Sequence, residues 1–255
     1  MSGVSMVATQ FRFTNKAFWR NPASAFFTFA FPLMFLVIFT TLLGNGDAVI
    51  NGVEVKTSTL YVASMAAFSV ITACYTNIAI SVSFSRDQGI LKRTRGTPLP
   101  AWAYLAGRVV HATVIATILV AICAVFGRLV YDASLPAGLS LFKFLIVLIV
   151  GSASFSALAL ALTAFIPNAD ASPAIVNASI LPLLFLSGVF IPIDDRAPAW
   201  IDLVGKVFPV RHFLESMNAG FLGTPFEWID VLFVALWGIA GLLIAARFFS
   251  WEPRK

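Results

Sequence analysis

Charge is what this chain of 255 residues has little of: Asp, Glu, Lys and Arg together make up 11% of it, against about 25% in soluble domains. That excludes an ordinary soluble enzyme. Cysteine and histidine are equally scarce, with two of each. Cys74 and Cys123 lie inside apolar runs with no C-x-x-C pair, so they read as small buried hydrophobes rather than metal or redox groups. No G-x-x-x-x-G-K-[ST] is present: the single Gly-Lys pair, Gly205-Lys206, is followed by Val207, so the chain cannot hold ATP by a phosphate loop. H-E-x-x-H and G-x-S-x-G are missing too, and no metal site or catalytic set is expected.

What is present is apolar length. Residues of the AVILMFWYC set make up 59% of the chain. Six stretches are long enough to cross a bilayer as helices: Ala23 to Leu43, Ser58 to Ser83, Trp102 to Phe126, Leu141 to Ile166, Pro173 to Ile193, and Ile229 to Phe249. Crossings of about 20 residues each leave no room for a separate soluble catalytic domain. The expected fold is therefore an all-α polytopic membrane protein with six transmembrane helices in a single domain over residues 1–255.

The basic residues orient it. With the N-terminus inside, eleven lie on the cytoplasmic side (Arg12, Lys16, Arg20, Arg86, Lys92, Arg93, Arg95, Arg108, Arg247, Arg254 and Lys255). Six lie outside: Lys56, Arg128, Lys143, Arg196, Lys206 and Arg211. The bias places both termini in the cytoplasm of a cell membrane, and the net charge of +5 reflects orientation rather than nucleic-acid binding.

Three pieces lie outside the spans. Residues 1–22 place Val4, Val7, Phe11 and Phe18 on one helical face, with Arg12, Lys16 and Arg20 beside it, the pattern of an interfacial helix resting on membrane lipids. A solvated basic tail is the alternative. Residues 84–101 form the most basic segment, with Ile90 and Leu91 set among charges like a docking knob and Pro98 and Pro100 as stops. A positive-inside anchor with no partner is the plainer reading. Residues 194–228 are external yet rich in large apolar side chains, and Pro198 and Pro209 suit the first turns of two short re-entrant helices.

Ionisable groups within the spans sit near their ends, where snorkelling accounts for them, and no Asp or Glu lies near a midpoint. An ion-coupled secondary transporter is disfavoured on that ground, though it stays open. Spans two and five are the polar ones. The hydroxyls and amides of Tyr75, Asn77, Asn177 and their neighbours serve either as packing contacts or as the lining of a path for an uncharged, amphipathic substrate.

The order of several short motifs resembles the type-2 family of ABC transporter permeases, in particular the daunorubicin-resistance type of membrane subunit. The carrying residues are Trp19-Arg20-Asn21-Pro22 with Phe31-Pro32, the loop from Arg86 to Arg93 with Thr97-Pro98-Leu99-Pro100, and Ser187-Gly188-Val189-Phe190-Ile191-Pro192 followed by Pro198-Ala199-Trp200 and Phe208-Pro209. The resemblance covers essentially the whole chain. It implies a membrane subunit that exports a drug, lipid or secondary metabolite, working as a homo- or heterodimer with a second permease. ATP and Mg would sit on a separate cytoplasmic ABC ATPase, with no cofactor on this chain. The resemblance further implies that Arg86, Asp87, Gln88, Gly89, Ile90, Leu91, Lys92 and Arg93 couple to that ATPase. Tyr75, Asn77, Asn177 and Phe185 become candidates for the path, and Pro192, Trp200, Phe208 and Phe213 for an external gate.

Overall fold

A computed structural model describes residues 3–50, 53–193 and 198–252. The leading helix, α1 (Gly3–Trp19), ends at Asn21-Pro22, where Asn21 Oδ1 accepts from the Ser24 backbone N–H and so caps α2 (Pro22–Leu43). A short hairpin follows, β1 (Asp47–Ile50) paired antiparallel with β2 (Val53–Lys56), in a place where sequence alone shows only a turn. Next come α3 (Thr57–Ile71), a π-helical turn (Thr72–Thr76) and α4 (Asn77–Asp87), which together form one continuous rod. The short α5 (Ile90–Arg95) leads to α6 (Ala101–Tyr131), α7 (Gly138–Thr163), α8 (Ser172–Leu186), α9 (Ala199–Val207), α10 (Pro209–Leu222) and α11 (Trp228–Phe248).

Among the described residues, five helices are long and apolar enough to cross a membrane: α2, the α3–α4 rod, α6, α7 and α11. Each coincides with an apolar run expected to span, α7 ending three residues before its run does. The fifth run differs. Its helix, α8, has 15 residues, about 22 Å at 1.5 Å per residue, short of a hydrocarbon core of about 30 Å. It stops at Leu186 rather than reaching Ile193 because Gly188 takes a left-handed φ of 82°. The Val189 N–H then donates to the Leu184 carbonyl and the Gly188 N–H to the Phe185 carbonyl, the paired bonds of a Schellman ending. Residues 187–193 fold back, burying Val189 and Phe190.

The rod α3–α4 is the axis of the bundle, with nearly every side chain of α3 buried. Around it, α7 and α11 approach closely through small residues. A Cβ on Gly238 would sit 2.7 Å from the Cβ of Ser154, and one on Gly241 would sit 2.9 Å from the Leu158 backbone nitrogen. Gly151 similarly provides the notch that takes the Phe213 ring of α10, itself edge-on to Phe155 at 5.2 Å. Gly151→Leu is expected to destabilise the protein by about 1–3 kcal/mol through overpacking. Thermal unfolding of the purified chain measures this, and Phe213→Ala in the same chain should recover part of the loss.

The leading helix is not a solvated tail. It lies along the first half of α6, with Phe11 and Phe18 on His111 at ring distances of 6.0 and 5.5 Å. Gly107 lets the Gln10 side chain settle on the α6 backbone. Arg12, Lys16 and Arg20 stay exposed; of the apolar face expected to rest on lipid, Phe11 and Phe18 pack on α6 instead, while Val4 is 81% exposed.

Candidate functional site

The basic loop is built around a buried cation. Arg86, in the last turn of α4, is 1% exposed and reaches past its own helix to the end of α7. Its Nη1 donates to the Thr163 carbonyl at 2.7 Å and its Nη2 to the Ile166 carbonyl at 2.6 Å. These carbonyls belong to a helix C-terminus, where the backbone lacks donors and the dipole favours positive charge. Beside it, Asp87 Oδ2 accepts from the Ala169 N–H at 2.7 Å. The two residues pin the α7–α8 connection to the end of the rod, so Arg86 is a clamp and not the exposed docking charge its sequence context suggests.

From this clamp the chain reverses at Gly89, in the left-handed region at φ 68°, and starts α5. The Ile90-Leu91 pair divides there. Leu91 is fully buried in the apolar core, while Ile90 is 38% exposed. Gln88, Lys92 and Arg93 are exposed as well. Of the eight candidate coupling residues, the surface set is therefore Gln88, Ile90, Lys92 and Arg93, a single apolar knob ringed by polar and basic side chains.

The four path candidates do not meet. Tyr75, on the π-helical turn, is buried and its hydroxyl lies 2.9 Å from Ser179 Oγ on α8. Asn77 faces the opposite way, into a cleft between α1 and α6. Asn177 is exposed on α8 and Phe185 is 56% exposed, its ring 4.9 Å from Phe190. Tyr75 and Ser179 form the polar spot in an otherwise apolar cavity of about 250 Å³ lined also by Phe155, Leu183, Phe208 and Trp237. Its composition suits an uncharged apolar guest.

The sequence profile of the ABC-2 type transporter family matches residues 7–222, from the leading helix through α10. The chain belongs to this family. Among curated relatives, it is 24% identical over 159 residues to the "Probable multidrug ABC transporter permease YbhR" of Escherichia coli K12, covering 62% of this chain and 42% of that protein. It is 23% identical over 221 residues to the transport permease ycf38 of Porphyra purpurea, covering 86% and 75%. A third, the transport permease YvfS of Bacillus subtilis, is 23% identical over 226 residues, 89% of either chain. The chain thus spans less than half the length of YbhR. These relatives are named as permeases and not as enzymes, in agreement with a chain that carries no phosphate loop.

In this ABC-2 family chain the external candidates also separate. Pro192 and Trp200 are exposed, Phe208 stacks on Trp237 at 5.7 Å, and Phe213 is wholly buried as the anchor of α10. Phe213 is thus a core residue here, held by the Gly151 notch. Residues 194–197 of the segment expected to be external lie outside the described residues. The two short helices meet through Arg211, which donates to Asp202 at 2.6 Å and to Glu215 at 2.9 Å. Hydrogen bonds from Lys206 and then Arg211 hold the Asp202 carboxyl below its ordinary value. A carboxyl depressed in this way contributes above its unfolded value, and the contribution is lost only as pH falls through its lowered one, so the tie is complete at neutral pH.

Ligand atoms of His212, Glu215 and Asp230 come within 4.8 Å of one another. Each already has protein partners: His212 Nδ1 with Asp230 at 2.7 Å, Nε2 with the Lys206 carbonyl at 2.9 Å, and Glu215 with Arg211. The trio reads as a hydrogen-bonded cluster in which His212 and Asp230 join α10 to α11.

Proposed function

We propose that this chain is the membrane half of an ATP-driven exporter for an amphipathic or hydrophobic substrate, with hydrolysis on a separate cytoplasmic ABC ATPase. The observation that carries the proposal is the exposed Ile90 on a six-residue basic helix whose base is locked to the end of α7 by Arg86 and to the α7–α8 connection by Asp87. A free loop would absorb a push from a partner. A loop bonded into the ends of α4 and α7 passes it to the rod and to α8. ATP-dependent closure of two ATPases then acts through differential contact of Ile90 between two states, which is what a population shift requires.

A second permease completes the path. The exposed face of α8 runs through Pro173, Asn177, Leu181 and Phe185 at four-residue spacing, and an amide at lipid depth gains from a partner helix. Substrate would leave between the two α8 faces, with Tyr75–Ser179 and the apolar cavity behind them, and both termini would stay cytoplasmic.

Reconstitution of the permease with its ATPase in vesicles tests this. ATP should drive transport of uncharged amphipathic probes across the bilayer, with no effect of ionophores. Transport that needs no ATPase and collapses with an ionophore would identify an ion-coupled carrier and overturn the reading.

A further inference from the structure

The cleft that takes up Asn77 holds an uncompensated cation. It lies between α1, the start of α2, α4, α5 and α6, with a volume of about 430 Å³. Arg108 lines it, half-buried, with Nη1 3.1 Å from Ser81 Oγ and Nη2 2.8 Å from Ser85 Oγ. Both hydroxyls send their own protons to backbone carbonyls, of Ile78 and Ser81 respectively. They and the face of the Tyr104 ring, 5.0 Å from Cζ, solvate the guanidinium without neutralising it. Among the described residues no carboxylate pairs with Arg108, and its Nε has no partner. A half-buried guanidinium with no counter-charge is open to pairing with an anion.

Two further groups at the cleft lack partners. His111 is 5% exposed and its Nε2 meets no donor or acceptor, and Tyr104 is 3% exposed with its hydroxyl equally unmet. Buried polar atoms are rarely left so. The Nε2 and the hydroxyl are themselves enclosed by protein, so the donor that the cleft offers a tetrahedral oxyanion is the planar fork of the Arg108 guanidinium.

Depth indicates the source. The 31 residues of α6 span about 46 Å against a hydrocarbon core of about 30 Å, so Arg108, seven residues in, falls near the level where headgroups meet acyl chains. Phe13 and Ala17 form the mouth on α1, and the exposed Arg12, Lys16 and Arg20 beside them draw anionic lipid toward it. We propose that the cleft binds the phosphodiester of an anionic phospholipid, drawn from the cytoplasmic leaflet on the orientation proposed above. The site also includes Ile90 and Thr94 of α5. A seated headgroup therefore ties the interfacial helix to the docking helix.

Binding of short-chain phosphatidylglycerol to the purified full chain, followed by its effect on thermal unfolding, tests this without any ATPase. The wild type should bind it and be stabilised, whereas short-chain phosphatidylcholine should not act. Arg108→Gln should weaken binding by about tenfold or more, and Arg247→Gln, at the end of α11, should leave it unchanged. Ala17→Phe narrows the mouth at an exposed position, so it should reduce affinity with no loss of folding even if Arg108→Gln fails to fold. Equal binding of phosphatidylcholine, or equal losses in the Arg247 and Arg108 variants, would overturn the site. Saturation by inorganic phosphate or glycerol 3-phosphate at the same concentrations would overturn the lipid source.

Discussion

Arg86→Met should cost the protein about 2–5 kcal/mol of stability, because it leaves the carbonyls of Thr163 and Ile166 buried without these donors. Methionine matches the stem but not the guanidinium. The loss should show as a large drop in the thermal midpoint of the purified chain, with reduced yield from membranes. Arg86→Lys retains charge at the end of α7 but cannot reach both carbonyls with a planar fork, so its midpoint should fall between the two. An unchanged midpoint in Arg86→Met would mean that the α7–α8 connection is held by something other than this clamp.

The neighbouring pair is expected to divide sharply under the same substitution. Leu91→Asp places a carboxylate where the side chain is fully buried, and losing the apolar contacts while desolvating a charge should cost more than about 4 kcal/mol. Ile90→Asp, at a position 38% exposed, should change stability by less than about 1 kcal/mol. Unfolding curves of the two variants distinguish a residue that builds α5 from one that it presents. Similar destabilisation by both would place Ile90 in the core as well.

Much of this architecture is legible in apolar run length. The spans for α2, the rod, α6, α7 and α11 follow from it because lipid-facing and core-facing side chains are both apolar, so burial pattern hardly matters. The end of α8 is harder to read, since Ser187 to Ile193 is as apolar as the helix before it. A single left-handed glycine, Gly188, decides the stop.

The site is less legible for a related reason. Arg86, Lys92 and Arg93 carry the same charge in one loop, and only tertiary structure shows that the first turns inward to a helix end. Tyr75 and Asn77 are two positions apart, about 200° around a helix, so their spacing already separates them. Phe213 gives no such sign. Its role depends on Gly151, distant in sequence, and large aromatics in a short amphipathic helix look alike whether they gate or anchor.

The proposed exporter requires an ATPase docked on the surface that Ile90 offers. Co-purification of the ATPase with the tagged permease from native membranes tests it most directly, comparing wild type with Ile90→Asp at matched thermal midpoints. The wild type should retain the ATPase, and Ile90→Asp, equally folded, should lose most of it. Retention of the ATPase by folded Ile90→Asp at the wild-type level would contradict this docking.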